Sequence, residues 1–304
     1  MDAPTPHRAR NMDEMRALQG RMFAAADFAG SIAAWKPRPT DVVITPYGKC
    51  GTTRLQQMFH TLRTRGDADF DDISRVVPWI ETSRLLGLDL EAPQKAEPRG
   101  FKSHLGADQL PAGAKAIVSF RDPKDALVSH FRFMEGWFLE PGAVPIADYA
   151  AVRLRGRGEG QDYWSHLLSW WARRNDPAVL LLSYEATNAD PAAAVRVVAR
   201  FCGFPLDEEL LALTLERTSL AYMLAHKSQF DDLMMRQASE RLAGLPPGSD
   251  SAKVRRGAVG SHRDDLPASI GESLDAVWRE AIASQSGFAD YAAFETAVRE
   301  RMYA

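Results

Sequence analysis

The chain has 304 residues, of which 45% are hydrophobic and 25% are charged, a composition typical of ordinary globular proteins. Its formal net charge of −3 predicts no general attraction to nucleic acid or to membrane surfaces, so any anion-binding site must be local. We expect a cytoplasmic protein because the two distant cysteines, Cys50 and Cys202, make no disulfide framework. We also find neither a signal peptide nor an apolar run long enough to span a membrane.

The most informative stretch of the sequence runs from Asp41 to Leu55. It begins with an apolar, β-branched run, continues into a small-residue loop that contains Lys49, and opens into a helical pattern. Apolar residues recur in that pattern at helical spacing, namely Leu55, Met58, Phe59 and Leu62. A strand, a loop and a helix N-terminus in this order provide free backbone N–H groups and the positive end of a helix dipole, which favour a bound anion.

The order of residues in this loop differs from that of a Walker A loop. A Walker A lysine follows the last glycine, whereas Lys49 precedes Gly51 here, and Thr52 and Thr53 close the motif. By this test the chain is not a standard ATPase or GTPase. The loop predicts binding of an anionic, nucleotide-like group by related physics, with Lys49 as an added point charge.

Three further segments are predicted to be buried strands, at residues 100–104, 116–120 and 179–184. Helix-start signals follow the last two strands. Asp122 and Asp190 are predicted N-caps, each followed by a proline, and the second of these helices is predicted to stop before Gly203. Strands that alternate with helices predict an α/β fold with a central parallel sheet flanked by helices. Phosphate ligands would then collect at the C-terminal edge of the strands.

We expect one domain over residues 1–304, with its motifs between about residues 41 and 263 and an N-terminal extension over residues 1–40. An aromatic-rich amphipathic helix over residues 163–174 is predicted to bury four side chains, Trp164, Leu167, Leu168 and Trp171. Residues 242–266 are rich in Gly, Ser, Pro and basic side chains. They are predicted to form a long loop over the anion site, since loops of this length are usually functional or disordered.

Polar side chains cluster where the predicted strands end. Lys102 and His104 end the second strand, Arg121 ends the third, and Tyr184 ends the fourth. The helix after the third strand and the long loop add Ser129, Arg255, Arg256 and Gly257. Because adjacent parallel strands end at one edge of the sheet, we expect these side chains to line one cleft. Their charges predict a ligand with more than one phosphate or sulfate. A histidine among them can act as a general base near neutral pH.

Four segments resemble the motifs of the cytosolic-type sulfotransferases, which use 3′-phosphoadenosine 5′-phosphosulfate (PAPS). Residues 47–54 resemble the family's loop of Tyr-Pro-Lys-Ser-Gly-Thr-Thr-Trp type, and residues 102–105 resemble its Lys-Thr-His-Leu segment. Residues 121–129 carry its 3′-phosphate motif, in which a serine follows an arginine by eight residues. Residues 255–260 resemble its Arg-Lys-Gly-x-x-Gly loop. The motifs stand in the family's order and span most of the chain.

The resemblance implies a PAPS-dependent sulfotransferase that releases 3′-phosphoadenosine 5′-phosphate (PAP). Lys49 would neutralise the bridging oxygen of the sulfonyl donor, Lys102 would support the transferring group, and His104 would take the proton from the acceptor. The implied cofactor-binding residues are Lys49, Cys50, Gly51, Thr52 and Thr53 in the first loop, with Arg121, Ser129, Arg255, Arg256 and Gly257 around the 3′-phosphate. No metal is implied, because a sulfonyl group carries less charge than a phosphoryl group.

Several positions depart from the family's pattern. Arg54 replaces the tryptophan that stacks on adenine, although a guanidinium plane can also stack on a base. Thr218 and Tyr184 match the family's residues at their positions. Leu220, in contrast, replaces an aromatic residue on the opposite adenine wall. The family's dimer motif is reduced to Arg263 and Glu272, with Pro267 and Ala268 at its Thr-Val positions. We therefore do not expect the family's dimer.

The acceptor is predicted to be a small molecule, either a phenol, a hydrophobic alcohol or an amine. Several apolar side chains either line a cleft beside His104 or belong to the core, and the sequence does not decide between the two. They are those of residues 77–81, Phe131, Phe133, Trp137, Met223 and Phe230. Two alternatives remain open. A P-loop kinase would need a lysine after the glycine and an acidic Mg²⁺ site. A catalytically idle nucleotide-binding or scaffold protein is suggested by the altered adenine wall, but binding alone would not need Lys49 and His104.

Overall fold

A computed structural model describes residues 6–155, 162–249 and 251–304 of the chain. Its centre is a sheet of four strands, β1 (Val42–Ile44), β2 (Gly100–Lys102), β3 (Lys115–Phe120) and β4 (Val179–Ser183). Their spatial order is β2-β1-β3-β4, and every neighbouring pair is parallel. The structure thus confirms the predicted single α/β domain with a central parallel sheet.

Helices surround this sheet. In chain order they are α1 (Met12–Ala24), α2 (Phe28–Ala34), α3 (Thr52–Thr64), α4 (Ile73–Val76), α5 (Pro123–Trp137), α6 (Ile146–Arg155), α7 (Tyr163–Ala172), α8 (Tyr184–Ala189), α9 (Pro191–Cys202), α10 (Glu208–Arg217), α11 (Leu220–Ala225), α12 (Lys227–Phe230), α13 (Leu233–Ala243), α14 (His262–Asp265), α15 (Ala268–Val277), α16 (Ser284–Ser286) and α17 (Tyr291–Tyr303). A 3₁₀ turn lies at Ile80–Thr82, and a π-helical segment joins α15 to α16 at Trp278–Ala283. None of the helices in the described ranges is long and apolar enough to cross a membrane.

Two apolar clusters cover the two faces of the sheet. On one face, side chains of β1 such as Ile44 pack with Phe59 of α3 and Val198 of α9. On the other face, Phe120 of β3 packs with Trp164 of α7 and with α17. A sheet that is buried on both sides requires continuous apolar strands rather than alternating ones, because no face is left for polar side chains.

The predicted helix caps are present at the predicted residues. The side chain of Asp122 accepts a hydrogen bond from the backbone N–H of Lys124 at the start of α5. Asp190 caps α9 in the same way, and Gly203 ends that helix in the left-handed conformation. The Asp122 cap fixes where the chain turns after β3, next to Arg121 at the C-terminal edge of the sheet. The Asp190 cap and Gly203 fix the two ends of α9, which lies farther along the chain.

Some predicted boundaries were wrong. Tyr184 does not end the fourth strand but begins α8, because the hydroxyl of Ser183 caps that helix by accepting from the backbone N–H of Ala186. The predicted loop over residues 242–266 starts only at Gly244, which ends α13, and it contains the short helix α14. In α7, Trp164 and Leu167 are buried as predicted, and Leu168 and Trp171 are partly buried against the same cluster.

The predicted N-terminal extension contains α1 and α2. Met15, Leu18 and Met22 of α1 pack in a third apolar cluster with side chains of α5 and α13. Helix α1 therefore supplies part of the core, and its Met22 also lines the cavity at the C-terminal edge of the sheet.

Candidate active site

A cavity of about 690 Å³ opens where the four strands end. Its walls include Lys49 after β1, His104 after β2, Arg121 after β3 and Tyr184 after β4. The cavity brings together the predicted site residues Lys49, Gly51, Thr52, Thr53, Arg54, Lys102, His104, Arg121, Ser129, Tyr184, Thr218, Leu220, Arg255, Arg256 and Gly257. The convergence expected from parallel strands is thus present in the structure.

Cys50 is the predicted site residue that does not line this cavity. Its side chain is completely buried and packs in the apolar cluster that contains Phe120 and Tyr163. Burial raises the pKa of its thiol to about 12, and its backbone N–H donates to the carbonyl of Tyr47 at 3.1 Å. The thiol itself is therefore turned away from the cavity, and the place of Cys50 in the cofactor-binding loop stays a prediction. The small thiol fills the core beneath the loop.

The backbone of the first loop adopts conformations that expose its N–H groups at the start of α3. Lys49 and Gly51 both have positive φ, +70° and +94°, and Gly51 is the N-cap residue. The hydroxyl oxygen of Thr52 is buried and has no hydrogen-bond partner in the described part of the chain. A buried unpaired hydroxyl costs free energy. Together with the free N–H groups of a helix start, it indicates a site for an anion.

Lys49 extends from this loop into the cavity. Its ammonium group lies 4.2 Å from the ring centroid of Phe133 and 3.4 Å from the carbonyl oxygen of Lys253. Burial, followed by the positive charge of Lys253, lowers the pKa of Lys49 to about 7. A bound anion would reverse this shift, because it stabilises the charged form of the lysine.

Arg121 connects the first loop with the basic loop. Its two terminal nitrogens donate to the carbonyl oxygens of Lys49 and Ala258, each at 3.0 Å. Its guanidinium carbon lies 4.4 Å from the ring centroid of Tyr184. Its Nε is buried and finds no partner among the described residues, so one donor of this arginine remains for a ligand.

Asp125 fixes the end of the basic loop. This buried carboxylate accepts hydrogen bonds from the backbone N–H groups of Gly260 at 2.7 Å and His262 at 2.9 Å. These two hydrogen bonds hold residues 260–262, which follow Arg255 and Arg256, against the first turns of α5. Within the described ranges, neither Arg255 nor Arg256 forms an ion pair with a carboxylate. Both arginines therefore remain able to bind an anion.

Arg54 and Leu220 occupy the two positions of the predicted adenine site at which the related family has aromatic rings. The guanidinium of Arg54 donates to the side-chain oxygen of Asn188 at 3.1 Å, which holds its plane in the cavity wall. Leu220 is 40% exposed. The hydroxyl of Thr218 donates to the carbonyl of Thr214 at 2.7 Å, so its proton is already engaged within α10.

His104 is held by two contacts. Its Nδ1 lies 2.7 Å from the carbonyl oxygen of Pro46, and its backbone N–H donates to the carboxylate of Glu81 at 2.7 Å. Because a carbonyl oxygen can only accept, Nδ1 carries the proton and Nε2 is the basic nitrogen. Burial, together with the charge of Lys102, lowers the pKa of His104 to about 3. The ring is therefore neutral at physiological pH, and Nε2 carries a free lone pair. A bound anion nearby would raise this pKa and make Nε2 a stronger base.

An apolar wall lies beside His104. The ring of Trp79 packs edge-on against the imidazole at 5.2 Å between centroids, and Phe133, Trp137 and Met223 also line the cavity. The other candidates for this wall belong elsewhere. Val77, Ile80, Phe131 and Phe230 are core side chains. Pro78 is buried and does not line the cavity, and Glu81 accepts a hydrogen bond from the backbone of His104.

Sequence reasoning missed several residues of this cavity. The cavity is also lined by Gln19, Met22 and Phe23 of α1, by His130 and Met134 of α5 and the following Phe138, and by Met235 of α13. An amphipathic pattern predicts that α1 is packed but not where it packs. Asp232 and Lys253 were missed as well; both are largely buried and line the cavity. In the part of the chain that the structure describes, no group of His, Cys, Asp and Glu side chains is arranged to hold a metal ion.

Comparisons with known proteins agree with this geometry. A family model described as the sulfotransferase domain matches residues 39–286. Sulfotransferase 1C2 of Homo sapiens is 23% identical over 286 residues, which cover 90% of this chain and 94% of the relative. Sulfotransferase 1B1 of Mus musculus is 28% identical over 265 residues, which cover 82% of this chain and 85% of the relative.

Solved structures share the fold. Retinol dehydratase in complex with androsterone and the inactive cofactor PAP has a TM-score of 0.68 at 21% identity, covering 88% of this chain and 87% of that one. Mouse sulfotransferase SULT7A1 in complex with PAP has a TM-score of 0.67 at 20% identity, covering 90% and 93%. The family model spans most of the chain, and it includes the loops that carry Lys49, His104, Arg121 and Arg255. The chain therefore belongs to the sulfotransferase domain family.

Proposed function

We propose that the protein transfers the sulfonyl group of PAPS to the hydroxyl or amine of a small hydrophobic or aromatic acceptor, with His104 as the general base. One observation carries the proposal. Pro46 accepts the Nδ1 proton of His104 at 2.7 Å, which leaves Nε2 as the basic nitrogen between the phosphate-binding loop and the apolar wall. A histidine in this tautomer fits proton removal from an acceptor that enters along the wall.

The residues present fit PAPS at its 5′ end. The unpartnered Thr52 hydroxyl and the N-terminus of α3 offer hydrogen-bond donors to a 5′-phosphate, as helix starts do for anions in general. Lys49 adds a charge on the cavity side of this loop. Two structural neighbours are described as complexes with PAP, which supports a nucleotide of this type here.

A second phosphate is supported by a separate group of cations. Among the described residues, Arg121 Nε is buried without a partner, and Ser129, Arg255 and Arg256 line the same cavity. Arginine forks bind phosphate oxygens with charge-assisted hydrogen bonds. This second set of contacts is what would distinguish PAPS from a nucleotide without a 3′-phosphate.

When bound, PAPS supplies a sulfonyl group attached to a phosphate leaving group. Lys49 would neutralise charge on the leaving oxygen, and Lys102 would support the transferring sulfonyl group. His104 takes the acceptor's proton at Nε2. The contribution of the protein is mostly positioning and electrostatic stabilisation. Burial of both lysines strengthens these interactions because less water screens them.

The apolar wall of the cavity indicates the chemical class of the acceptor. Trp79 lies beside His104, and Phe133, Trp137 and Met223 add aromatic and thioether surface to the same cavity, which suits a phenol, a hydrophobic alcohol or an aryl amine. The neighbours of similar fold are described as complexes with androsterone or retinol, which is compatible with an apolar acceptor. A kinase is less well supported, because the described residues contain no acidic cluster for a metal ion.

The experiment is an acceptor screen with PAPS in the absence of metal, read by the release of PAP. We expect turnover with at least one hydrophobic phenol, alcohol or aryl amine. The same screen with His104→Ala should give no turnover while PAP still binds. Absence of turnover with all three classes, in a protein that binds PAP, would favour the catalytically idle alternative.

A further inference from the structure

Asp232 lies between two lysines at the centre of the cavity. Its Oδ1 contacts the ammonium group of Lys253 directly and lies 3.9 Å from that of Lys102. The side chains of Asp232, Lys102 and Lys253 are exposed by only 4%, 4% and 8%. One carboxylate thus separates two buried ammonium groups that would otherwise repel each other.

The backbone at Asp232 is unusual for a residue that precedes a helix. Its φ is +48°, in the left-handed region, and its side chain makes no capping hydrogen bond to α13. An aspartate at this position usually caps the helix, and a left-handed conformation costs about 1–2 kcal/mol. The carboxylate therefore turns away from its own helix and toward the two lysines.

Asp231, the preceding residue, holds the same segment of the basic loop. Its carboxylate accepts a hydrogen bond from the hydroxyl of Ser251 and lies 3.5 Å from Nε of Arg236. Two consecutive aspartates thus bind residues 251 and 253, which lie directly before Arg255 and Arg256. The start of α13 is therefore the anchor of the loop that covers the cavity.

The two lysines belong to opposite sides of the cavity. Lys102 is the last residue of β2, and its ammonium group lies 3.9 Å from the ring centroid of Trp79 in the apolar wall. Lys253 belongs to the basic loop, and its carbonyl oxygen accepts from the ammonium group of Lys49 at 3.4 Å. Asp232 therefore connects the acceptor wall with the loop that carries the phosphate-binding arginines.

We propose that Asp232 is a positioning residue for sulfonyl transfer, which holds Lys102 beside His104 and fixes the basic loop through Lys253. This inference rests on the proposed function. Without the carboxylate, two buried ammonium groups would face each other near Lys49. They would then separate or lose their protons, because burial disfavours unpaired charge. Two effects follow: Lys102 loses its position, and Arg255 and Arg256 lose the anchor of their loop.

Asp232→Asn tests this role, because asparagine has the same shape and tolerates the left-handed conformation. We expect PAP to bind about tenfold more weakly, measured by calorimetry, and kcat to fall by at least about tenfold. Lys253→Met removes only the loop contact. It should weaken PAP binding to a similar extent and lower kcat less, since Asp232 still holds Lys102.

A double variant that combines Asp232→Asn with Lys253→Met shows whether the two residues affect PAP affinity together or independently. Because Asp232 and Lys253 act on PAP binding as a unit, the double variant should bind PAP no more weakly than Asp232→Asn alone. Asp275→Asn is the matched control, since Asp275 pairs with Lys124 at 2.8 Å on the surface. It should leave both PAP affinity and kcat unchanged.

Wild-type PAP affinity and kcat in Asp232→Asn would overturn the inference, as would full additivity in the double variant. If Asp232→Asn fails to fold, the comparison of Lys253→Met with Lys253→Arg decides: arginine should restore PAP affinity, and equal losses would reject the loop anchor. The binding measurements need no turnover. Failure of every acceptor with the wild type would therefore reject the proposed function, whereas the PAP affinities of the variants would still decide whether Asp232 anchors the basic loop.

Discussion

The carbonyl oxygen of Pro46 and Nδ1 of His104 lie 2.7 Å apart, and this contact joins the phosphate-binding loop to the histidine after β2. It fixes the tautomer of the ring and its distance from Lys49 at the same time. In the proposed mechanism, the loop that would bind the sulfonyl donor thereby also positions the histidine that would act as the base.

Replacement of His104 by alanine should separate binding from transfer. The imidazole contributes no charge at neutral pH, since its pKa is lowered to about 3, so we expect PAP affinity to change little. Transfer should fall by about 10²- to 10⁴-fold, the usual contribution of a general base. PAP release and PAP titration, measured on the same preparation, check both parts. An alanine variant that retains most of its activity would show that His104 is not the base.

Binding of PAP should depend on pH through the two buried lysines. Burial, as the largest cause, lowers the pKa of Lys49 to about 7 and that of Lys102 to about 8. Each lysine is charged below its pKa, and a bound anion favours the charged form. PAP affinity should therefore fall as the pH rises from 7 to 9, by at most about tenfold per pH unit for each lysine.

Calorimetry in buffers of different ionisation enthalpy measures this linkage as proton uptake on binding. Uptake at pH 8 should be smaller in Lys49→Met than in the wild type. Affinity that is constant between pH 7 and pH 9 would contradict the lowered pKa values or the contact of these lysines with the anion.

Replacement of Gly51 by alanine should damage the phosphate-binding loop. The residue has φ of +94°, and an added Cβ would lie 3.0 Å from the ring of Tyr184. We expect a loss of about 1–2 kcal/mol in the free energy of unfolding from the backbone conformation, and weaker PAP binding. Gly20→Ala is the control, because Gly20 lies inside α1 with open space around it. That change should raise stability by about 0.5–1 kcal/mol and leave PAP binding unaltered.

An aromatic ring at position 220 should strengthen nucleotide binding. Leu220 lies at the cavity beside Gly257 and is 40% exposed, and stacking on a base contributes about 1–3 kcal/mol. Leu220→Phe should therefore tighten PAP and ADP by similar factors, since both carry adenine. Leu224 is equally exposed but does not line the cavity, so Leu224→Phe should change neither affinity. A gain for one nucleotide alone would argue against stacking on adenine.

The sheet and the phosphate-binding loop are predictable from sequence because their signals are local. Apolar runs give the strands, Asp122 and Asp190 cap helices within four residues, and the loop of Lys49 and Gly51 follows β1 directly. The parallel arrangement then brings Arg121 and His104 to one edge without further information.

The acceptor wall and the charge pairs depend on long-range packing. Phe131 and Phe133 are two positions apart on α5, so they face different sides of the helix; only the structure identifies Phe133 as the residue at the cavity. Asp232 and Lys253 form an ion pair although they lie 21 residues apart in the sequence. A charge in a loop is usually exposed to solvent, and no local pattern distinguishes these two from exposed charges.

The most direct test of a PAPS-dependent transferase is a calorimetric titration with PAP, ADP and Mg-ATP, repeated with Arg121→Ala. We predict that the wild type prefers PAP to ADP by about 10- to 100-fold without Mg²⁺, the range expected for charge-assisted hydrogen bonds to a buried phosphate. Arg121→Ala should lose most of this preference while it still binds ADP. Equal affinity of the wild type for PAP and ADP, or a preference for Mg-ATP, would contradict the account.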